Sequence, residues 1–110
     1  MGQRMGMVIA VKPEKLDEYK RLHAEPWPEM NAALKRANIA NYSIFLREPE
    51  NLLFGYWDYT GADYAADMKW LGEQDVTRRW LALTDACQIR LETAADGDWW
   101  SMMPEIFHLD

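Results

Sequence analysis

The stretch IANYSIFLREPENLLFGYWDY, residues 39–59, decides the fold because it predicts two neighbouring strands joined by a turn. Residues 39–46 predict a strand in which alternate side chains share a face, with Tyr42, Ile44 and Leu46 on one side and Asn41, Ser43 and Phe45 on the other. Residues 47–51 include a proline and predict the turn, and residues 52–59 predict a second strand rich in aromatic side chains. Together they predict an antiparallel hairpin, whose register the length of the loop leaves open.

The segment before this hairpin predicts one strand and a broken helix. Residues 3–11 form a short apolar run that is typical of a buried strand. Pro13 stands where the first residue of a helix is expected, a position at which its missing N–H is tolerated. Pro-Trp-Pro at residues 26–28 interrupts that helix and opens a second one, which we expect to end at Asn38.

The segment after the hairpin predicts helices and a closing strand. Residues 60–63 resemble a capping box, which predicts a helix running to about Trp70. A longer helix is predicted over residues 74–90. Its apolar stripe is predicted to comprise Val76, Trp80, Leu83 and Cys87. After an Asp-Gly-Asp turn, residues 103–109 predict the last strand.

The resulting order of elements, βαββαβ, predicts an α+β sandwich. We expect a single domain over residues 1–110, with a four-stranded, mostly antiparallel sheet and the helices on one face. The other face of the sheet would then lie bare. A dimer that packs sheet against sheet, or one that encloses a pocket there, would cover it.

Charge and composition exclude several classes of function. The chain has 12 Lys and Arg against 18 Asp and Glu, a net charge of −6, and no concentrated basic run, so we expect neither nucleic-acid nor membrane binding. The longest apolar run, residues 5–11, is too short for a membrane helix or an export signal. Cys87 is the single cysteine, which suits a reducing compartment, and we expect a cytoplasmic protein.

Four side chains are candidates for chemistry or binding. Tyr19 and His23 lie one helical turn apart, so hydroxyl and imidazole can converge on one pocket, and imidazole is the natural proton-transfer group near neutral pH. Tyr42 could offer its hydroxyl to a polar ligand, and Trp80 could stack on the C–H face of a sugar ring. The alternative for each is a core residue whose polar atom has found a partner.

Other motifs point away from cofactor chemistry. The sequence contains no Gly-rich phosphate loop, no HExxH or clustered His and carboxylate spacing, and no nucleophile elbow, so we expect no metal and no cofactor. Arg78 and Arg79 are expected to be solvated or paired charges. Glu105 and His108 could be exposed strand residues or part of a dimer seam.

Several short segments, taken together and in order, resemble the L-rhamnose mutarotase family over nearly the whole chain from about Met5. They are EYKRLH at 18–23, WPE at 27–29, NYSI at 41–44, LLFG at 52–55, RW at 79–80 and EIFHL at 105–109. No single segment is specific, whereas the ordered set is a strong signal.

This resemblance implies a ferredoxin-like fold that dimerises as an α+β barrel. It also implies cofactor-free interconversion of the α and β anomers of L-rhamnose or a related deoxysugar. In such proteins the histidine matching His23 is the acid–base, and the residues matching Tyr19, Tyr42 and Trp80 contact the sugar. The sequence departs from the family pattern at Leu81, where members carry a second Trp, and in a loop through Ala94-Ala95-Asp96-Gly97 that replaces Asn-Pro-Asp-Asn-Ser-Pro.

Three alternatives remain at this point. A cofactor-free oxygenase of the same ferredoxin-like fold would share the layout of sheet and helices. A monosaccharide-binding module without catalytic activity would use the same aromatic side chains. A plain dimerisation domain with an aromatic core would bind no small ligand.

Overall fold

The computed structural model describes residues 2–110, and its first three strands match the sequence pattern. In chain order the elements are β1 (Gln3–Val11), a 3-10 turn (Pro13–Lys15), α1 (Leu16–Ala24), α2 (Pro28–Arg36), β2 (Ile39–Arg47), β3 (Leu52–Tyr59), α3 (Tyr64–Glu73), α4 (Asp75–Asp85), β4 (Gln88–Ile89) and β5 (Ser101–Met103). The predicted strands at 3–11, 39–46 and 52–59 are confirmed to within one residue.

All strand pairs in the described sheet are antiparallel, in the order β2-β3-β1-β4. The short strand β5 also pairs with β1. Strand β4 lies beside residues 10–11 and β5 beside residues 6–8, so the two occupy successive stretches along one edge of β1. The fourth strand of the βαββαβ pattern is therefore present in two pieces, and the ferredoxin-like α+β fold is confirmed.

The break between α1 and α2 has a local cause. Trp27 adopts an extended backbone (φ −82°, ψ 121°), because the ring of the following proline disfavours helical geometry in the residue before it. Pro28 then starts α2 at the position where no N–H is required. Asn38 has a φ of 67°, a left-handed conformation that asparagine tolerates, and it turns the chain from α2 into β2 as predicted.

The helices pack on one face of the sheet, where the apolar core lies. Alternate residues of β1, among them Ile9 and Val11, are 0% and 1% exposed and point to that side together with Leu53 of β3. Two buried clusters result. One joins α2 and α3 to β2 and β3, and the other joins α1 to β1 and β3.

The opposite face of the sheet carries exposed apolar side chains. Phe45, Ile89 and Met103 expose 65%, 47% and 40% of their surface there. Ile89 and Met103 pair with the even-numbered residues Ala10 and Gly6 of β1. Phe45 pairs with a residue of β3 that itself lies opposite even-numbered Val8. Because side chains alternate along a strand, all three lie on the face opposite the buried odd-numbered residues of β1. The expectation that the helices leave one face bare is thereby confirmed for the described residues.

The predicted helix over 74–90 is wrong at its C-terminal end, since α4 ends at Asp85. The chain leaves the helix because the Cys87 carbonyl accepts a hydrogen bond from the Lys12 N–H (2.8 Å) and Gln88 pairs with β1. The apolar stripe is also partly wrong: Leu83 is 42% exposed. Its place in the interior is taken by two buried threonines, Thr77 and Thr84.

The predicted strand at 103–109 is wrong as well. Strand β5 ends at Met103, and residues 104–110 form no regular structure. Pro104 explains the end of the ladder, because it has no N–H to donate across to β1. The side chain of Arg4 still holds Glu105 alongside β1, through two hydrogen bonds of 2.7 and 3.0 Å.

The capping residue of α3 also differs from the prediction. The helix begins at Tyr64, and the Asp63 carboxylate accepts the hydrogen bond of the Ala66 N–H (3.1 Å). The backbone N–H and the hydroxyl of Thr60 instead both donate to the Asn38 carbonyl. None of the helices within residues 2–110 is long and apolar enough to cross a membrane.

Candidate active site

A pocket of about 730 Å³ lies between the helices and the sheet, on the face that holds the core. Helices α1, α2 and α4 and strands β2 and β3 all contribute to its walls. Its floor is apolar and includes Ile39, Ile44, Leu46 and Leu53. The pocket thus combines an apolar base with a few polar groups, which is the usual composition of a small-molecule site.

His23 lies in this pocket near the end of α1, and one of its ring nitrogens is already engaged. Its Nδ1 lies 2.8 Å from the backbone carbonyl oxygen of Tyr19, one turn earlier. A carbonyl can only accept, so Nδ1 carries the proton and Nε2 carries the lone pair of the neutral ring. Nε2 is therefore the atom that can exchange a proton with a molecule in the pocket.

Tyr19 stands next to His23 on the same face of α1. The two ring centroids are 4.4 Å apart, as the spacing of four residues predicts. Tyr19 is 5% exposed, and burial raises the pKa of its hydroxyl well above the usual value. It therefore remains a neutral hydroxyl, able to donate a hydrogen bond, throughout the physiological pH range.

Trp80 and Trp27 form an aromatic wall beside the histidine. The Trp80 ring, from α4, stands edge-on to His23 with centroids 5.3 Å apart. Trp27, from the junction of α1 and α2, lies 5.1 Å from Trp80. Behind Trp27 lies the guanidinium of Arg79, 5.5 Å from the ring centroid and bound to Asp75 at 2.8 Å. This contact supports the wall from outside the pocket.

Tyr42 reaches the pocket through a β-bulge in β2. Ile39 pairs with Tyr59 and Ile44 with Gly55, so one extra residue lies between them on β2. That extra residue allows odd-numbered Ile39 and even-numbered Tyr42 to share one face of the sheet, which strict alternation would forbid. The bulge is marked by Asn41, whose φ is 51°.

The Tyr42 hydroxyl is held in a desolvated position. Desolvation raises its pKa to about 12, although the residue as a whole keeps 39% of its surface exposed. Its ring is fixed edge-on against Trp57, with centroids 5.0 Å apart. Tyr42 thus offers a second neutral hydroxyl on the wall opposite α1.

The structure therefore brings all four candidate residues, Tyr19, His23, Tyr42 and Trp80, into one pocket. The other candidates lie elsewhere. Arg79 stands behind the aromatic wall, Glu105 is paired with Arg4, and His108 is paired with Asp110 in the C-terminal segment. Among residues 2–110, no group of three His, Cys, Asp or Glu side chains lies close enough to hold a metal ion.

Sequence reasoning missed two pocket-related positions. It gave Trp27 no role in the pocket, because the flanking prolines predict a break in the helix but do not determine the direction in which the ring points. It gave Gln88 no role, yet the Gln88 amide lies 3.2 Å from the Tyr19 hydroxyl. The two residues are 69 positions apart, so no local pattern could reveal the contact.

Comparison with known proteins gives a consistent result. The family model described as L-rhamnose mutarotase matches residues 4–109. The chain is 34% identical to the L-rhamnose mutarotase of Oceanobacillus iheyensis, over 98% of this chain and 99% of that protein. It is 32% identical to the one from Lactiplantibacillus plantarum, over 97% and 98% respectively.

Solved structures extend the likeness to the fold. The structure of L-rhamnose mutarotase FA22100 from Formosa agariphila superposes with a TM-score of 0.77 at 20% identity, covering 98% of this chain and 99% of that one. An antibiotic biosynthesis monooxygenase superposes with a TM-score of 0.56 at 17% identity, covering 96% of this chain and 99% of that one. At such identities both likenesses concern the fold alone.

Proposed function

The chain belongs to the L-rhamnose mutarotase family and is an isomerase of that type, and we propose that His23 performs the proton transfers of the reaction in the pocket described above. The reaction interconverts the α and β anomers of L-rhamnose or a related deoxysugar. The observation that carries the proposal is the Nδ1 contact of His23 with the Tyr19 carbonyl, because it leaves Nε2 as the reactive nitrogen.

Anomer interconversion requires one proton to move between two oxygens. Nε2 of neutral His23 takes the proton from the hydroxyl on C1, the C1–O bond of the ring breaks, and a carbonyl forms at C1. The imidazolium then gives that proton to the former ring oxygen. Both oxygens are bonded to C1, so a single nitrogen can serve them in turn. After rotation about the C1–C2 bond, the same steps in reverse close the ring on the other face.

The two tyrosines orient the sugar and do not transfer the proton. The raised pKa values of Tyr19 and Tyr42 keep both hydroxyls neutral, and a neutral phenol donates a hydrogen bond without giving up its proton. Such donors stabilise the negative charge that develops on the sugar oxygens as the ring opens. The face of Trp80 provides an apolar surface for the C–H bonds of the ring.

The experiment is anomeric exchange measured by saturation-transfer NMR, first with L-rhamnose and then with L-fucose. We expect His23→Ala to lower the enzymatic exchange rate by about 10²- to 10⁴-fold while the protein stays folded. His108→Asn is the matched control, since the other histidine lies in the C-terminal segment, and it should exchange sugar at the normal rate. An unchanged rate in His23→Ala would remove His23 from the mechanism.

We propose further that the protein acts as a homodimer. The support is the bare sheet face with Phe45, Ile89 and Met103, and the adjoining C-terminal segment in which Ile106 and Phe107 are 95% and 78% exposed. A second copy that packs against this face would cover both. Light scattering should give the mass of two chains, and the same measurement on Phe107→Asp should give a lower mass. A monomeric wild-type protein would contradict the proposal.

The use of cysteine supports a proposal for the cellular location. Cys87 is the single cysteine of the sequence, so no disulfide can form within the chain, which suits a reducing compartment, and we propose the cytoplasm. Fractionation of cells that produce the protein, with a periplasmic marker enzyme as the control, tests this directly.

A further inference from the structure

A chain of hydrogen bonds runs from a surface loop to the Tyr19 hydroxyl, outside the pocket itself. The Trp99 indole Nε1 donates to the Gln88 Oε1 (2.6 Å), and the Gln88 Nε2 donates to the Tyr19 hydroxyl oxygen (3.2 Å). Gln88 is 4% exposed. We call these three residues, Trp99, Gln88 and Tyr19, the amide relay.

The direction of the amide relay follows from the chemistry of its members. An indole N–H can only donate, so the carbonyl end of the Gln88 amide must face Trp99. Its NH₂ end then faces Tyr19, and the phenol oxygen of Tyr19 must accept. A hydroxyl that accepts from one side directs its own proton elsewhere. Since Tyr19 lines the pocket, that proton is available to a ligand there.

Trp99 is held in place by the loop between β4 and β5. The guanidinium of Arg90 donates to three backbone carbonyls of this loop, those of Asp98 (2.6 Å), Ala95 (2.8 Å) and Ala94 (3.2 Å). Gly97 turns the loop with a φ of 85°. The position of Trp99, and with it the orientation of the Gln88 amide, therefore depends on the conformation of this loop.

We infer that Gln88 is a positioning residue for the mutarotase reaction: oriented by Trp99, it keeps the Tyr19 hydroxyl as a hydrogen-bond donor to the sugar. The inference rests on the proposed function. It assigns the loop between β4 and β5 an effect on catalysis through Gln88, although the loop contributes no side chain to the pocket walls.

The test is a double-mutant cycle on the exchange rate with L-rhamnose. Gln88→Met keeps the length of the side chain and removes the amide, and we expect the rate to fall about three- to tenfold. In a Tyr19→Phe background the same substitution should change the rate less than twofold, because the hydroxyl through which Gln88 acts is gone. An equal loss in both backgrounds would show a merely structural role and overturn the inference.

A charge-bearing variant gives an independent pH readout. In Gln88→Glu the carboxylate can only accept, so it draws the Tyr19 proton away from the sugar, and exchange at pH 8 should fall further than in Gln88→Met. Protonation of this buried carboxyl restores a donor, so the deficit relative to wild type at the same pH should shrink as the pH is lowered. A deficit independent of pH contradicts the relay. If this variant does not fold, the cycle with Gln88→Met decides alone.

Trp99→Phe tests the origin of the orientation, with Trp70→Phe as the matched control on a tryptophan away from the pocket. Trp99→Phe should lower the exchange rate about two- to fivefold and Trp70→Phe should leave it unchanged. Measuring the Kd for L-rhamnose in the variants of the same double-mutant cycle separates the proposed activity from the proposed role of Gln88. If wild type binds sugar without exchanging it, the proposed activity fails and the relay is judged on binding. If it neither binds nor exchanges sugar, both fail.

Discussion

The bulge at Asn41 allows a specific prediction about stability, because it requires a left-handed backbone at a residue that is not glycine. Asn41 has a φ of 51°, and its side-chain amide donates to the Asp58 carboxylate (2.6 Å). Asn41→Ala and Asn41→Gly both lose this hydrogen bond, so its contribution cancels when the two variants are compared. They differ in how well they tolerate the left-handed backbone and in the conformational freedom of the unfolded chain.

The magnitude of this difference follows from two opposing terms. A residue with a Cβ in the left-handed region costs about 1–2 kcal/mol relative to glycine. Glycine in turn lowers the free energy of unfolding by about 0.4–1 kcal/mol, because it gives the unfolded chain more conformational freedom than alanine does. We therefore expect Asn41→Ala to be less stable than Asn41→Gly by about 1 kcal/mol, or about 4 °C in Tm for a domain of this size.

The assay is thermal unfolding followed by circular dichroism, at one protein concentration for all variants, since dimer formation would make Tm depend on concentration. Both substitutions should retain sugar exchange, because the bulge itself survives. Deletion of Asn41 should leave Tyr42, Ile44 and Leu46 on the pocket face, because Tyr42 then follows Ile39 by two positions and the regular alternation of a strand places both on the same side. Equal Tm values for the alanine and glycine variants would refute the reasoning.

Three further predictions follow from burial and titration. Gly55→Ala should lower the Tm, because the added Cβ would lie 3.0 Å from Met7 Cγ and 3.3 Å from the Trp100 ring. A Tm within 1 °C of wild type, which corresponds to a change of only ~0.2 kcal/mol in the free energy of unfolding, would contradict the packing described. The raised pKa of Tyr42, about 12, means that the folded protein keeps a proton which the unfolded chain loses near pH 10, so stability should fall as the pH rises from about 10 to 12. Denaturation midpoints measured against pH should show this fall, and Tyr42→Phe should reduce it. Cys87 should react with iodoacetamide at least about tenfold more slowly than a free thiol at pH 8, because the residue is buried and its pKa is raised; mass spectrometry over time measures the rate, and a urea-unfolded sample is the control.

Local signals in the sequence predicted a structural feature correctly wherever the residues that cause it lie within a few positions of it. The prolines at 26 and 28 impose the break between α1 and α2, and Asn38 tolerates the left-handed turn after α2. The pairing of Tyr19 with His23 belongs to the same class, since a spacing of four residues stacks two side chains on any helix. The hairpin of β2 and β3 was predictable from alternation and a proline-containing turn.

The errors share one cause, which is that the deciding partner is remote in sequence. Helix α4 ends early because Cys87 and Gln88 join an edge of β1 that lies about 75 residues away along the chain, at Lys12 and Val11. The last strand is split because the chain leaves β1 after Ile89 and returns at Ser101. The local sequence of residues 86–103 contains no signal for the position that β1 takes in the folded chain.

By itself, the sequence indicated the first three strands, the break between α1 and α2, the resemblance to a family, and Tyr19, His23, Tyr42 and Trp80 as candidate site residues, because caps, prolines, periodicity and short motifs are local. Only the tertiary structure shows that these four share a pocket, that β2 contains a bulge before Tyr42, and that the Gln88 amide donates a hydrogen bond to the Tyr19 hydroxyl. Hydrogen-bond direction and strand register depend on which groups meet in space, and chain folding brings those groups together from distant positions.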